Sequence, residues 1–446
     1  MEASAVSMPP SPILTIARAA LDACAVDPAM RAAVNISGKN LHVAGQHYDL
    51  SRFRHVSALG AGKAAAAMAQ TLGDLLGPVL SDGLMITKYE HGLPLDNVQV
   101  MESGHPVPDR AGEQAAEALL RRANAAGRDD LVFFLLSGGA SALIPSPRPP
   151  VTLKDKMRTT RMLLSCGADI HETNTIRKHL SRIKGGHLAA ALAPATVITL
   201  IVSDVPGNNL DVIGSGPTAP DQSTFAHCLS IIDRYALRRE MPASVLTVLE
   251  QGAAGLLPET AKTGQDFFTR VQNHIIADNN LALDGAAEAA RDLGYTPHIL
   301  TTDLSGDVRD AAHMLARIAR NHQAPACLLA GGETTVTIRG NGKGGRNQEL
   351  ALRLALELEK HPFPTTAVSV LSLGTDGSDG PTDAAGGLLR PETLARARTK
   401  GLHPEPYLEN NDSYTFLQQA EALLITGPTR TNVMDVVAIL LEPAKH

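Results

Sequence analysis

The sequence predicts an α/β protein of two domains. The N-terminal domain is expected to be a largely parallel, Rossmann-like three-layer sandwich, and the smaller C-terminal one a mixed sheet with flanking helices. Three observations carry this reading. At 446 residues the chain is longer than most single hydrophobic cores sustain. Short apolar runs alternate with helix-forming runs, the rhythm of a parallel sheet covered on both faces. The apolar runs end in glycine-rich or polar loops, and an open parallel sheet binds ligands beyond the carboxyl ends of its strands.

Taken in order, "HVSALG" is a short strand and "KAAAAMAQTLGDLL" a run of strong helix formers. The pattern returns with "LVFFLL", the glycine turn Gly138–Gly139 and the helix "LKDKMRTTRMLLSCG". "ETNTIRKHLSRIKGGHLAAAL" reads as one more helix and "TVITLIVSD" as a buried strand. A second block begins with a helix from Asn279 to Leu293, a strand beyond Tyr295 and the helix "DVRDAAHMLARIARNH". "ACLLAGGETTVTIRG" reads as strand, turn, strand, "AVSVLSLG" as a buried strand before a Gly/Asp-rich loop, and "EALLITG" as a late strand. The Gly/Gln/Thr-rich stretch 250–266 is the best linker, which sets the domains at 1–260 and 261–446.

Composition removes several function classes. Lys plus Arg is 40 against 46 for Asp plus Glu, a formal charge of -6, and no basic stretch with interleaved aromatics occurs, so nucleic acid is not an expected partner. The start lacks a basic leader before an apolar core, and no later run is apolar for a membrane's width. A soluble, cytoplasmic chain with no membrane partner is expected. Cys24, Cys166, Cys228 and Cys327 form neither a CxxC pair nor a disulfide ladder. The 16 histidines give no HExxH and no Cys/His set at zinc spacing, so His179 and His187 read as structural. With no Trp and 3% aromatics, a stacking platform for bases or sugars has little support.

Three polar regions invite chemistry. In "LGAGKAAAAMA", Gly60, Gly62 and Ala65 satisfy a loosened GxGxxA, yet a dinucleotide site also wants an acid at the end of the next strand, and Asp82 stands at its start. Lys63 is placed beside free helix-start amides, where it can hold phosphate or carboxylate oxygens or be a surface lysine. Ser137, Gly138, Gly139 and Ser141 supply small donors and close backbone access after a strand, without the GxSxG of a hydrolase. Asp204, just after "TLIVS", can accept a hydroxyl proton, hold magnesium through water, or cap a turn.

The third region holds a literal GxGxxG at Gly340, Gly342 and Gly345, but "TTVTIR" before it is alternating and half polar. It is not a Walker A loop either, with Thr337 and Gly344 where glycine and a hydroxyl residue are required. What remains is a basic, amide-rich helix start: Lys343, Gly344, Gly345, Arg346 and Asn347. Arg346 offers a planar fork for an oxyanion, with Glu349 as a candidate surface partner and Glu333 as a candidate organiser. Asp376, Asp379 and Asp383 can share magnesium-bound waters or form a solvated turn. Thr426, Gly427, Pro428 and Thr429 form another anion-facing loop.

In order along the chain, "GAGKAAAAMA", "ESGHPVPD", "LSGGASAL", "TNTIRKHLSRIKGGHLA", "IVSDVPGNNLDVIGSGPTAPD", "GGETTVTIRGNGKGGRNQELAL", "GTDGSDGPTDAAGG" and "TGPTRTNVMDV" together resemble the glycerate 2-kinase family, labelled hydroxypyruvate reductase in older naming. The resemblance implies two α/β domains, the smaller a C-terminal MOFRL-type domain. It also implies phosphorylation of D-glycerate at its 2-hydroxyl by ATP with Mg2+, giving 2-phospho-D-glycerate and ADP. Matched motif by motif, Lys63, Asp204 and Arg346 become the catalytic or phosphate-binding expectations. Ser137, Gly138, Gly139, Ser141 and Asn209 are expected to contact substrate. Glu333, Lys343, Gly344, Gly345, Asn347, Thr426, Gly427 and Thr429 are expected at the nucleotide, and Asp376, Asp379 and Asp383 at the metal. The chain departs from the family at Asn208 and Asn209, more often acidic, and at Arg430, more often glycine. An NAD(P)H-dependent hydroxypyruvate reductase and a non-catalytic sugar-acid binding protein stay open as alternatives, as does a homodimer.

Overall fold

The computed structural model describes residues 11–444. Its strands are β1 (Val34–Ser37), β2 (Asn40–Val43), β3 (Gln46–Asp49), β4 (His55–Ala61), β5 (Asp82–Lys88), β6 (Val98–Ser103), β7 (Asp130–Leu136) and β8 (Thr196–Val202), then β9 (Val271–Ala277), β10 (Thr296–Leu304), β11 (Ala326–Gly332), β12 (Thr366–Gly374), β13 (Gly386–Leu389), β14 (Leu423–Leu424) and β15 (Asp435–Pro443). The chain divides into two units, Val26–Ile276 and the described residues up to Ala25 together with those from Ala277 onward.

In the first unit the sheet order is β6-β5-β4-β7-β8-β9, and the pairs from β6 through β8 are all parallel. The apolar run of β7 is buried from Leu131 to Leu136, as a strand covered on both faces requires. Helix Arg110–Ala125 buries Ala116, Leu119, Leu120 and Ala123, a 3.6-residue stripe that joins Phe134 and Leu136 in one core. The stretch read as one helix from 172 to 192 is two, Ile170–His179 and His187–Leu192. Gly185 and Gly186 break it at φ 59° and 76°, and a Cβ on Gly186 would lie 2.6 Å from that of Ala261. A small antiparallel sheet, β1-β2-β3, went unread because its strands are four residues each.

The expected linker is packed into this first unit. Its start belongs to helix Ala243–Ala253, Thr260 donates to Asp221 at 2.8 Å, and Ala261 N donates to Gly185 O at 3.0 Å. The division falls after Ile276 because the segment through β9 completes the first sheet, so the 260/261 boundary lies inside a unit.

The second unit carries the mixed sheet β10-β11-β15-β12-β13-β14, with β10 parallel to β11 and the remaining pairs antiparallel. Its central strand, β15, was not read from the sequence. Helix Arg346–Glu359 lays Leu350, Leu354 and Leu358 into the core at helical spacing. "TTVTIR" is not a strand: its ladder contact is one isolated bridge, Thr335 to Asp307, and Ile338 is 80% exposed. "EALLITG" yields only the two residues of β14. Helix Pro12–Ala23 belongs to this unit and packs on helix Asn279–Asp292, where Gly285 permits the approach: a Cβ there would lie 2.4 Å from Ala23 Cβ. Among the described residues no helix is long and apolar enough to cross a membrane, and all four cysteines are free.

Candidate active site

In the first unit, parallel pairing sets Ala61 beside Leu136, so the loops leaving β4 and β7 start side by side. Gly62 N donates to Ile86 O at 3.0 Å and Ser137 N to Ala61 O at 3.1 Å. Gly62 then takes φ 140°, where a Cβ would lie 2.1 Å from Ser137 Oγ, so the contact demands glycine. Lys63 N donates to Gly138 O at 2.9 Å, and Ser137 Oγ accepts from Ala64 N at 3.0 Å. Gly139, at φ 87°, leaves room for the His105 ring, 3.0 Å from where a Cβ would stand.

Lys63, Ser137, Gly138 and Gly139 are thus one double turn at the carboxyl edge of the sheet. Ser137, 1% exposed, braces that turn rather than presenting an open hydroxyl. Ser141 follows on the short helix Ala140–Leu143, where its Oγ accepts from Lys184 Nζ at 2.7 Å and from Arg177. Asp204 lies two residues past β8 at the same edge. Asn209, exposed, uses its carbonyl to accept from Val212 N and Ile213 N at 2.9 and 3.1 Å.

In the second unit, Gly345 is the N-cap of helix Arg346–Glu359 and cannot cap with a side chain. Asp379 does so from another loop. Its carboxylate accepts from Asn347 N at 3.1 Å, Gln348 N at 2.9 Å and Gln348 Nε2 at 3.0 Å. A Cβ on Gly345 would stand 2.3 Å from Asp379 Cγ, so the glycine lets the acid reach the free amides. Burial pushes the Asp379 carboxyl above its usual range despite those donors.

Arg346, the first helical residue, is gripped from two sides. Nε and Nη2 donate to the Asp435 carboxylate at 2.6 and 2.9 Å, and Nη1 donates to Glu333 at 2.7 Å. Burial of the guanidinium works against its charge, but the hydrogen bonds to Asp435 outweigh it and raise its pKa. Burial lifts Asp435 to about 6, offset in part by Arg346. Glu333, Gly344, Gly345, Arg346 and Asp379 line a pocket of about 450 Å³. A larger pocket of about 850 Å³ in the same unit, lined by Arg309, Arg353 and Arg398 among others, contains none of the expected site residues. The smaller one holds the organised cation and the helix start, and is the candidate ligand site.

Other expected residues serve the scaffold. Asn347 is 1% exposed and accepts from Ser372 Oγ at 2.6 Å, tying the helix to β12. Glu349 is buried on Arg353 at 2.7 Å and does not pair with Arg346. Lys343 lays its ammonium 3.8 Å from the Tyr414 ring centroid. Asp383 accepts from Tyr414 Oη at 2.7 Å, and Asp376 accepts from Ser378 N at 3.0 Å as an Asx turn. With Asp379 committed to the helix, Asp376, Asp379 and Asp383 do not fit a joint magnesium cage, and no group of three metal-competent side chains occurs among the described residues. Thr426 donates to Gly427 O at 2.9 Å and Thr429 to Thr375 O, which ties this loop to the Asp376 turn. Asp435 was missed: it opens the apolar run "DVVAILL" rather than closing one as Asp204 does, and nothing local links it to Arg346.

Residues 13–250 match the family described as "Domain of unknown function (DUF4147)" and residues 326–435 match the MOFRL family. A Pyrococcus horikoshii protein named glycerate 2-kinase is 40% identical, with 94% of each chain covered. An Agrobacterium vitis protein named for hydroxypyruvate reductase is 42% identical over 86% of each chain. The crystal structure of glycerate kinase from Thermotoga maritima superposes with a TM-score of 0.83 at 37% identity, covering 96% of this chain and 98% of that one. With the family's two segments in sequence and its fold throughout, the chain belongs to the glycerate 2-kinase family.

Proposed function

We propose that the protein transfers the terminal phosphoryl group of ATP to the 2-hydroxyl of D-glycerate, yielding 2-phospho-D-glycerate and ADP. The observation that carries this is Arg346: a fixed guanidinium fork, held by Asp435 and Glu333, in the lining of the pocket of about 450 Å³. Phosphoryl transfer asks a protein chiefly for such preorganised charge. Arg346 offers it to phosphate oxygens, while the space beside Gly344 and Gly345 is taken by Ser413 and Asp379. Lys63, on the double turn of the first unit, supplies a second cation for an oxyanion, and Asp204 orients the 2-hydroxyl and accepts its proton. Magnesium, when bound with the nucleotide, would offset phosphate charge; Asp376, Asp379 and Asp383 do not offer it a joint site.

The reductase reading draws on the Agrobacterium name and on Gly60, Gly62 and Ala65. It meets a geometric objection: Asp82 opens β5 and pairs with Arg122 at 2.6 Å, at the end of the strand away from the glycine loop, while Thr87 and Lys88 close it. A ribose-binding acid belongs at the closing end. Incubating the protein with D-glycerate and MgATP, and separately with hydroxypyruvate and NADH or NADPH, decides between them. ADP release in the first mixture with unchanged nicotinamide absorbance in the second is expected; the reverse pattern overturns the proposal.

A further inference from the structure

Three cations of the first unit gather with no carboxylate ion-paired to any of them among the described residues, Glu113 lying near enough only to favour the charge on Lys156 in part. Lys156 and Lys184 are 3% and 0% exposed, and Arg177 is partly exposed. Lys184 Nζ donates to Ser141 O at 2.9 Å and to Ser141 Oγ at 2.7 Å. Arg177 donates to the same Oγ and to Asn174 Oδ1 at 3.3 Å. Ser215 Oγ lies 3.0 Å from Ser141 Oγ and donates to Asn174 Oδ1 at 3.2 Å, its backbone held at φ 64°. Lys156 Nζ is buried with no hydrogen-bond partner, and none of the three cations forms an ion pair among the described residues. Burial first, then neighbouring Arg177, pull the Lys156 ammonium down to about 7 against a partial offset from Glu113, and burial with Lys156 and Arg177 pulls Lys184 well below its usual range.

The chain shows what a structural buried lysine looks like one residue after Arg177. Lys178 is equally buried, but its ammonium meets Asp211 at 2.8 Å and Asp221 at 3.2 Å. Burying a cation costs several kcal/mol unless an anion offsets it, so the cluster around Ser141 lacks a partner that Lys178 has. Its position is specific as well. Ser141 follows the glycine turn after β7, Ser215 lies beyond β8, and capping boxes at Thr152–Asp155 and Asp169–Glu172 fix the helices that carry Lys156 and Arg177. That is the carboxyl edge where a parallel sheet places its ligand, next to the turn that holds Lys63.

We propose that Lys156, Arg177 and Lys184, converging on Ser141, form an oxyanion pocket that receives the carboxylate of the hydroxy-acid substrate. The identity of that acid rests on the glycerate kinase reading; the pocket itself does not. A small carboxylate suits it, because two of the cations lie beneath the surface and only Arg177 is partly open. The nucleotide's phosphates are left to the Arg346 helix start.

Calorimetric titration of the full chain tests this with D-glycerate, with malonate as a carboxylate unrelated to turnover, and with a non-hydrolysable ATP analogue. Arg177→Gln is expected to weaken D-glycerate and malonate binding by about 30-fold or more, with analogue binding unchanged. Loss of analogue binding instead, or no change with any probe, overturns the proposal. If wild-type protein binds malonate but not D-glycerate, and Arg177→Gln loses malonate, the pocket stands and the glycerate reading falls. Lys156→Met supplies a check independent of folding failure. Removing an unpartnered buried charge should raise the melting temperature of the free protein and abolish the further rise on adding D-glycerate. A lowered melting temperature would assign Lys156 a structural role and contradict the pocket.

Discussion

Arg346 and Asp435 form a hydrogen-bonded pair in the second unit, and the titration of the buried carboxyl has a definite sign. Asp435 rises from 3.8 to about 6 in the fold, so its contribution to stability is full below pH 3.8 and is lost as the pH climbs through about 6. By linkage that is on the order of 3 kcal/mol. The fork on Arg346 needs the ionised carboxylate, so activity should run the other way, rising through about pH 6 to a plateau. Asp435→Asn should flatten both profiles between pH 4 and 6, followed by chemical denaturation and by kcat/KM. Arg346→Ala should lower kcat by about 100-fold or more at pH 8. Arg430 sits at φ 62°, a region that costs a side chain about 1 kcal/mol. Arg430→Gly is therefore expected to stabilise the protein by about that amount in urea unfolding. Arg346 and Lys63 were legible as cations among glycines; Asp435 was not, because nothing local in "DVVAILL" says that β15 runs beside the Arg346 helix.

The helix Arg346–Glu359 shows how one element serves site and core together. Its apolar stripe anchors it, and its start is completed by Asp379 from a loop 30 residues on, since Gly345 has no side chain to cap with. A capping role and a metal role for Asp379 predict different outcomes. Asp379→Ala should cost about 2 kcal/mol or more of stability, because it strips the partner from two buried backbone N–H groups, those of Asn347 and Gln348. If stability were unchanged and only the magnesium dependence of the rate moved, the capping account would be wrong. Strands and helices with clean periodicity, such as β7 and helix Val308–Ala319, were readable directly. "TTVTIR" alternates like a strand, yet no neighbouring strand meets it, so local pattern without a partner failed there. The helix break at Gly185–Gly186 was hidden because its cause, Ala261, is distant in sequence.

Across the whole chain, two α/β units and a family were legible from the order of the motifs, while the division between them was not. A Gly/Thr-rich stretch looks the same whether it is exposed or packed, and only Thr260 on Asp221 and Ala261 on Gly185 reveal that it is packed. The N-terminal helix joining the second unit was equally invisible, since its partner surface is set by Gly285. Each unit presents a fixed cation among small residues, Lys63 in the first and Arg346 in the second, which suits the proposed phosphoryl transfer to a small acid. The most direct measurement is phosphorus NMR of the product formed from D-glycerate and MgATP. A single phosphomonoester on carbon 2 is expected, formed with stoichiometric ADP and about 100-fold or more slowly with Arg346→Ala. A phosphoester on carbon 3, or no phosphoester from active protein, would contradict the proposed transfer.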